Sequence, residues 1–306
     1  MSDIKLFAIQ NKVEELQGQS VALEKSLQKL LEENLDTFLG VRFLASEYDL
    51  GQNQRGRIDS LGLDENNYPV IIEYKRSTNE NVINQGLFYL DWLMDHKESF
   101  QWLVMEKLGK EEADRVDWSG PRLICIAGGF TRYDEHAIQQ INRNIELIRY
   151  KKFNEDFLLL DLVNAVEGRG TTPQEAPGEK KPAKSENTFA ECLAKANPTQ
   201  TELYESIKVY LEAMGDDVTV KELKFYMAFK RIKNFATVEV YPTAKSIIIC
   251  LKGDPNEVDA SAYPEGFFKN MSNTGHLGTG DIQLRILSAE DFERAKPLIL
   301  ASYERS

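Results

Sequence analysis

Cysteine and histidine are scarce in this chain of 306 residues, three of each. Cys125, Cys192 and Cys250 are too few and too scattered for a disulfide framework or a zinc-ligand pattern. His96, His136 and His276 are equally dispersed, which removes serine, cysteine and zinc hydrolase readings that need a histidine within a motif. Long apolar runs are missing too. Those around Leu158–Leu160 and Ile247–Leu251 fall far short of the roughly 20 residues a membrane helix needs. The N-terminal Met-Ser-Asp-Ile-Lys has neither the basic start nor the apolar stretch of a secretory signal, so a cytoplasmic protein without a membrane partner is expected. Nor is there a basic surplus: 37 Lys and Arg face 49 Asp and Glu, a net charge of -12. A generic nucleic-acid coat would be basic, so any nucleic-acid contact here has to be local.

What is present is ordinary soluble material, 42% hydrophobic and 28% charged, long enough for two domains. The informative stretch runs from Arg57 to Arg76 and reads as a β-hairpin. Ile58, Ser60, Leu61 and Leu63 make a first strand, Asp64–Asn67 supply turn residues, and Val70, Ile71, Ile72 and Tyr74 make a second. Side chains at i and i+2 share a strand face, so Glu73 and Lys75 project together, away from Ile72 and Tyr74. Register decides whether Asp59 joins them. A loop of Glu65, Asn66 and Asn67, with an Asn in the left-handed position, sets Asp59 opposite Glu73; a loop of Asn66-Asn67 sets it opposite Tyr74. In the first register the two carboxylates, with Cβ atoms about 5 Å apart, are close enough to share one divalent cation.

Asp59 followed by Glu73-Tyr74-Lys75 resembles the PD-(D/E)xK nuclease superfamily, and the Gly-Arg-Ile-Asp and Glu-Tyr-Lys-Arg wording is similar to its branch of NucS-type endonucleases. Ile58 stands before Asp59, where that branch often has proline. The resemblance implies an α/β fold with a restriction-endonuclease-like αβββαβ core. It also implies Mg²⁺ or Mn²⁺ held by Asp59, Glu73 and the carbonyl of Tyr74, with Lys75 beside the reacting phosphate. In the superfamily a glutamate from the preceding helix often completes the site. Helical spacing of Leu23, Leu27, Leu30, Leu31, Leu35 and Phe38 predicts that helix up to Gly40. It places Glu24 at the edge of the apolar stripe and Glu32 and Glu33 outside it, Glu33 being the fallback for Glu24. Gln85 and Tyr89, one turn apart on a helix predicted over Val82–Asp95, resemble the superfamily's Gln-x-x-x-Tyr pair at the active site. Arg57 and Arg76 are second-rank contacts for the nucleic acid.

Downstream, Val41–Glu47, Leu123–Ala127 and Phe157–Leu162 read as strands and Asp134–Ile148 as a helix, giving the order helix, three strands, helix, strand, helix, strand. Arg143, Arg149, Lys151 and Lys152 form a basic cluster. The expected organisation is a nuclease-like domain over 1–167, a linker over 168–195 rich in Pro, Gly and charge, and a smaller α+β domain over 196–306. The last domain resembles one of unknown function of the "predicted transport protein" type, through Thr-Glu-Leu-Tyr-Glu, Tyr-Met-Ala-Phe-Lys-Arg-Ile-Lys-Asn-Phe and Gly275–Asp281. Lys230, Arg231 and Lys233 among Phe225, Tyr226, Phe229 and Phe235 have the composition of a single-strand binding surface, and equally that of a strand with one charged face.

The expectation is therefore a metal-dependent endonuclease acting on DNA before RNA in defence or repair, with a second copy of the chain left open as a partner. The rivals are a catalytically silent nuclease-fold module that binds nucleic acid or a protein, and a soluble accessory protein of a transport system.

Overall fold

The computed structural model describes residues 4–9, 12–19, 25–51, 56–75, 82–154, 156–166, 168, 187–272 and 278–306. The chain divides into two compact units, Met1–Gln174 and Glu175–Ser306, both mixing helices with sheet. Among the described residues no helix is long and apolar enough to cross a membrane.

The first unit opens with β1 (Leu6–Ala8), β2 (Glu14–Leu16) and β3 (Gly18–Gln19), followed by α1 (Lys25–Glu33) and α2 (Leu35–Leu39). Gly40 ends α2 in the left-handed conformation, its N–H donating to the carbonyls of Asp36 and Leu35, the stop its position predicts. Strands β4 (Val41–Asp49), β5 (Arg57–Asp64) and β6 (Pro69–Lys75) form an antiparallel meander. Helices α3 (Val82–Asp95), α4 (Lys97–Leu108) and α5 (Lys110–Asp114) then lead to β7 (Arg122–Ala127), which runs parallel to β6. After α6 (Arg132–Gln139) come β8 (Asn144–Phe153), parallel to β7, and β9 (Phe157–Val166), antiparallel to β8.

Helix α3 rests on β6 and β7, its Leu90 and Leu93 sharing a core with Ile71, Leu123 and Cys125. The approach is close: a Cβ on Gly86 would collide with the side chain of Leu123. On the other face lie α1 and α2, burying Leu31, Leu35 and Leu39.

Two expectations from the sequence need correction. The predicted helix over Asp134–Ile148 ends at Gln139, and from Asn144 the chain belongs to β8, whose Ile145, Leu147, Ile148 and Tyr150 are all buried. A strand covered on both faces loses its alternation, so its apolar spacing imitates a helix. Also, α1 is rotated from its expected phase: Gln28 and Leu31 are buried while Leu30 is exposed.

The second unit holds α7 (Phe189–Ala194) and α8 (Pro198–Glu212), then β10 (Thr219–Glu222), β11 (Met227–Lys230), β12 (Asn234–Tyr241) and β13 (Ser246–Leu251). It closes with β14 (Phe268–Asn270), β15 (Ile282–Ile286) and α9 (Ala289–Glu304). The six strands form an antiparallel sheet in the order β10-β11-β12-β13-β15-β14. Ile207 and Leu211 of α8 and Ile299 of α9 meet Val238, Ile249 and Leu284 in its core. Phe189 is buried in the same core, so structure resumes inside the stretch expected to be linker up to 195.

Candidate metal and nucleic-acid site

The hairpin adopts the odd-loop register. Leu63 pairs with Pro69 and Ser60 with Ile72, around Glu65, Asn66 and Asn67, the last with φ 62°. Asp64 fastens this turn by accepting the N–H groups of Asn66 and Tyr68, both at 2.8 Å. At the open end the regular ladder stops at Ser60 and Ile72, and the next step is made by side chains. The Asp59 N–H donates to Glu73 Oε1 at 3.1 Å, and the Tyr74 N–H donates to Asp59 Oδ2 at 3.0 Å. Asp59 and Glu73 are thereby held face to face at the carboxyl end of β6.

Glu73 is 1% exposed. Burial, reinforced by the charge of Asp59, pushes its carboxyl from an ordinary 4.5 up to about 9, against the lowering effect of the Asp59 N–H bond. A carboxylate in this position is stabilised by a proton or by a cation. The donors brought together are all oxygens, the set that hard divalent ions prefer. Among the described residues no group of three or more His, Cys, Asp or Glu side chains is placed to hold a metal. The described residues thus bring together two carboxylates, and Glu24 lies outside them.

Lys75 is the last residue of β6, its backbone paired with Ala127 of β7. Arg76 lies outside the described residues. The Tyr89 hydroxyl accepts the Gln85 side-chain amide at 2.9 Å and the Arg57 backbone N–H at 3.4 Å, tying α3 to β5 two residues before Asp59. The Arg57 side chain turns to Glu47, at 2.9 Å. Glu33, the fallback acid, is exposed and faces Lys29 at 3.6 Å.

The spacing of leucines missed Glu32. Its Oε1 accepts from the Ser60 hydroxyl at 2.7 Å, the Ser46 hydroxyl at 2.8 Å and the Gln28 amide at 3.0 Å. The Ser60 hydroxyl in turn lies 3.3 Å from that of Tyr74. This polar seam packs α1 on the sheet face opposite Glu73. The signal was available in Gln28 and Glu32, four residues apart on either side of Leu31.

In the second unit, Lys230 and Lys233 are half-buried, and Arg231 is fixed by Asp217 at 2.8 Å with its guanidinium 4.6 Å over the ring of Tyr303. Tyr226, Phe229 and Phe235 are buried, so they cannot stack bases. Lys230 ends β11, Arg231 and Lys233 lie in the turn to β12, and the buried aromatics belong to the core, so the basic and aromatic residues do not form one strand face. Residues 273–277, including His276, lie outside the described residues.

No family model matches the chain. An uncharacterized protein of Haemophilus influenzae is 31% identical over 293 residues, covering 93% of this chain and 94% of the relative. The chain belongs to that protein's family. Two solved structures are similar over part of the chain: a repair endonuclease from Pyrococcus abyssi, and EndoMS in a structure described as an EndoMS-dsDNA2 complex. The first has 18% identity and a TM-score of 0.28 over 43% of this chain and 48% of its own. The second has 18% identity and a TM-score of 0.25 over 46% and 49%. This chain therefore spans about half the length of either. None of the three supports the resemblance of the second unit to a predicted transport protein.

Proposed function

We propose that the chain is a metal-dependent nuclease that hydrolyses phosphodiester bonds, of DNA before RNA, with its site at the open end of the β5–β6 hairpin. The observation that carries this reading is the interlocked pair of Asp59 and Glu73, two carboxylates held together in a position where one of them is buried. Asp59, Glu73 and the carbonyl of Tyr74 would hold Mg²⁺ or Mn²⁺, with Glu24 as the candidate for a further acidic ligand. When bound, the cation stabilises charge developing on the phosphate and acidifies water. Lys75, two residues beyond Glu73, supplies a positive charge for the phosphate in the transition state. Gln85 and Tyr89 fix the approach of β5 and with it Asp59. A role in defence or repair comes by analogy with the superfamily resembled.

A cleavage assay on single-stranded, double-stranded and branched DNA with Mg²⁺ or Mn²⁺ tests the reading, comparing the wild type with Asp59→Ala and Lys75→Ala. Loss of cleavage in both variants is expected. Equal cleavage by all three proteins removes the assignment, and so does a Mn²⁺-dependent thermal shift that survives Glu73→Ala.

A further inference from the structure

Strand β7 ends at Ala127, the residue paired with Lys75, so the segment leaving β7 lies along the same sheet edge as the carboxylate pair. Ligands of open α/β sheets gather outside the carboxyl ends of the strands. That segment is Gly128-Gly129-Phe130-Thr131, leading into α6. A Cβ on Gly129 would meet nothing within 4 Å, so this backbone stands clear of its surroundings. Phe130 anchors the loop in the core, and Thr131 caps the helix: its hydroxyl accepts from the Asp134 N–H while its own N–H donates to Asp134 Oδ2 at 2.7 Å. The first turn of α6 is therefore fixed.

That turn holds out Tyr133, at 70% among the most exposed large side chains described. The Arg132 guanidinium lies 5.0 Å from the ring centroid and donates to the Tyr133 hydroxyl at 3.0 Å. His136, one turn on, is exposed as well. A tyrosine ring backed by a guanidinium is a preassembled surface for a flat, electron-rich ring. Asp134 and Glu135 in the same turn disfavour a bare phosphate. The chemistry selects a nucleobase. Four residues lie between Ala127 and Arg132, at most roughly 18 Å of chain, a span of a few nucleotides.

We propose that Tyr133, backed by Arg132, stacks an unpaired nucleobase of the strand whose phosphate lies at Asp59 and Glu73. This deepens the nuclease reading and rests on it for the phosphate's position. The substrate is then a single-stranded or locally unpaired segment, and Tyr133 contributes to its selection without touching the reacting atoms.

The test uses the full chain carrying Asp59→Ala to stop cleavage, with a short single-stranded DNA containing 2-aminopurine, whose fluorescence is quenched on stacking. Adding Tyr133→Ala should weaken binding about 5- to 150-fold and abolish the quench, the range that loss of one base–aromatic stack implies. Tyr133→Phe should keep both. Equal binding and quench in the alanine variant, or binding to duplex alone with no quench, overturns the proposal. The two proposals separate cleanly. If the wild type cuts DNA but Tyr133→Ala changes neither binding nor quench, only the stacking surface falls. If the wild type cuts nothing while the Tyr133 effect is present, the nuclease falls and a nucleic-acid-binding module remains.

Discussion

The buried carboxyl of Glu73 makes a quantitative demand on stability. Its carboxyl sits at about 9 in the folded chain against an ordinary 4.5, so between those pH values the folded state binds one more proton than the unfolded state. Stability should then fall as pH rises, by about 1.4 kcal/mol per pH unit. The loss begins near pH 4.5, reaches on the order of 3 kcal/mol at pH 7, and stops growing near pH 9. All three tryptophans, Trp92, Trp102 and Trp118, lie in the first unit, so tryptophan fluorescence in a denaturant titration follows that unit alone. The measurement is the midpoint between pH 5 and 9 with a chelator present, in the wild type and in Glu73→Gln, which keeps the shape and removes the charge. The wild type should lose stability steadily while the variant stays nearly flat by comparison. Saturating Mn²⁺ should flatten the wild type as well, because a cation offsets the charge that the proton otherwise removes. Parallel curves for wild type and Glu73→Gln would refute the reasoning.

Two further perturbations address the frame around the site. Arg122 is buried between Glu146, which it meets at 2.8 and 2.9 Å, and Asp64 at 2.8 Å. Arg122→Ala strands two buried carboxylates and should cost about 3 to 5 kcal/mol in the same titration; a loss under about 1 kcal/mol, the level of an exposed pair, contradicts this. Glu32→Ala leaves the Gln28, Ser46 and Ser60 donors without their acceptor and should cost about 1 to 3 kcal/mol. Hydrogen exchange should locate the effect in α1, and unchanged protection there contradicts the role of the seam.

The hairpin was legible because its information is local. Leu63 and Pro69 pair around a loop whose third residue, Asn67, tolerates a positive φ, and once that register is set the alternation of β5 and β6 brings Asp59 to Glu73. Gly40 was legible for the same reason, as a helix stop with a left-handed φ of 63°. Segments whose environment comes from distant chain were harder to read. β8 looks helical because residues on both of its faces are buried, Ile145 and Leu147 in the core beneath α3 and Ile148 and Tyr150 outside that core, and α4 gives no apolar stripe to recognise. Leucine spacing puts Glu32 on the outside because the leucines alone cannot say which side of α1 the sheet takes.

By itself the sequence determined the residues on offer: a hairpin with Asp59 on one strand and Glu73 on the other, three scattered cysteines and three scattered histidines, and length enough for two folding units. It did so because turn type, strand alternation and residue class act over a few neighbouring positions. Only the tertiary structure decided how deeply Glu73 is buried, which acid of α1 meets the sheet, and that Tyr133 stands beyond the end of β7. Each of these depends on strands and helices far apart in the chain, whose packing removes water from one side chain and leaves another exposed.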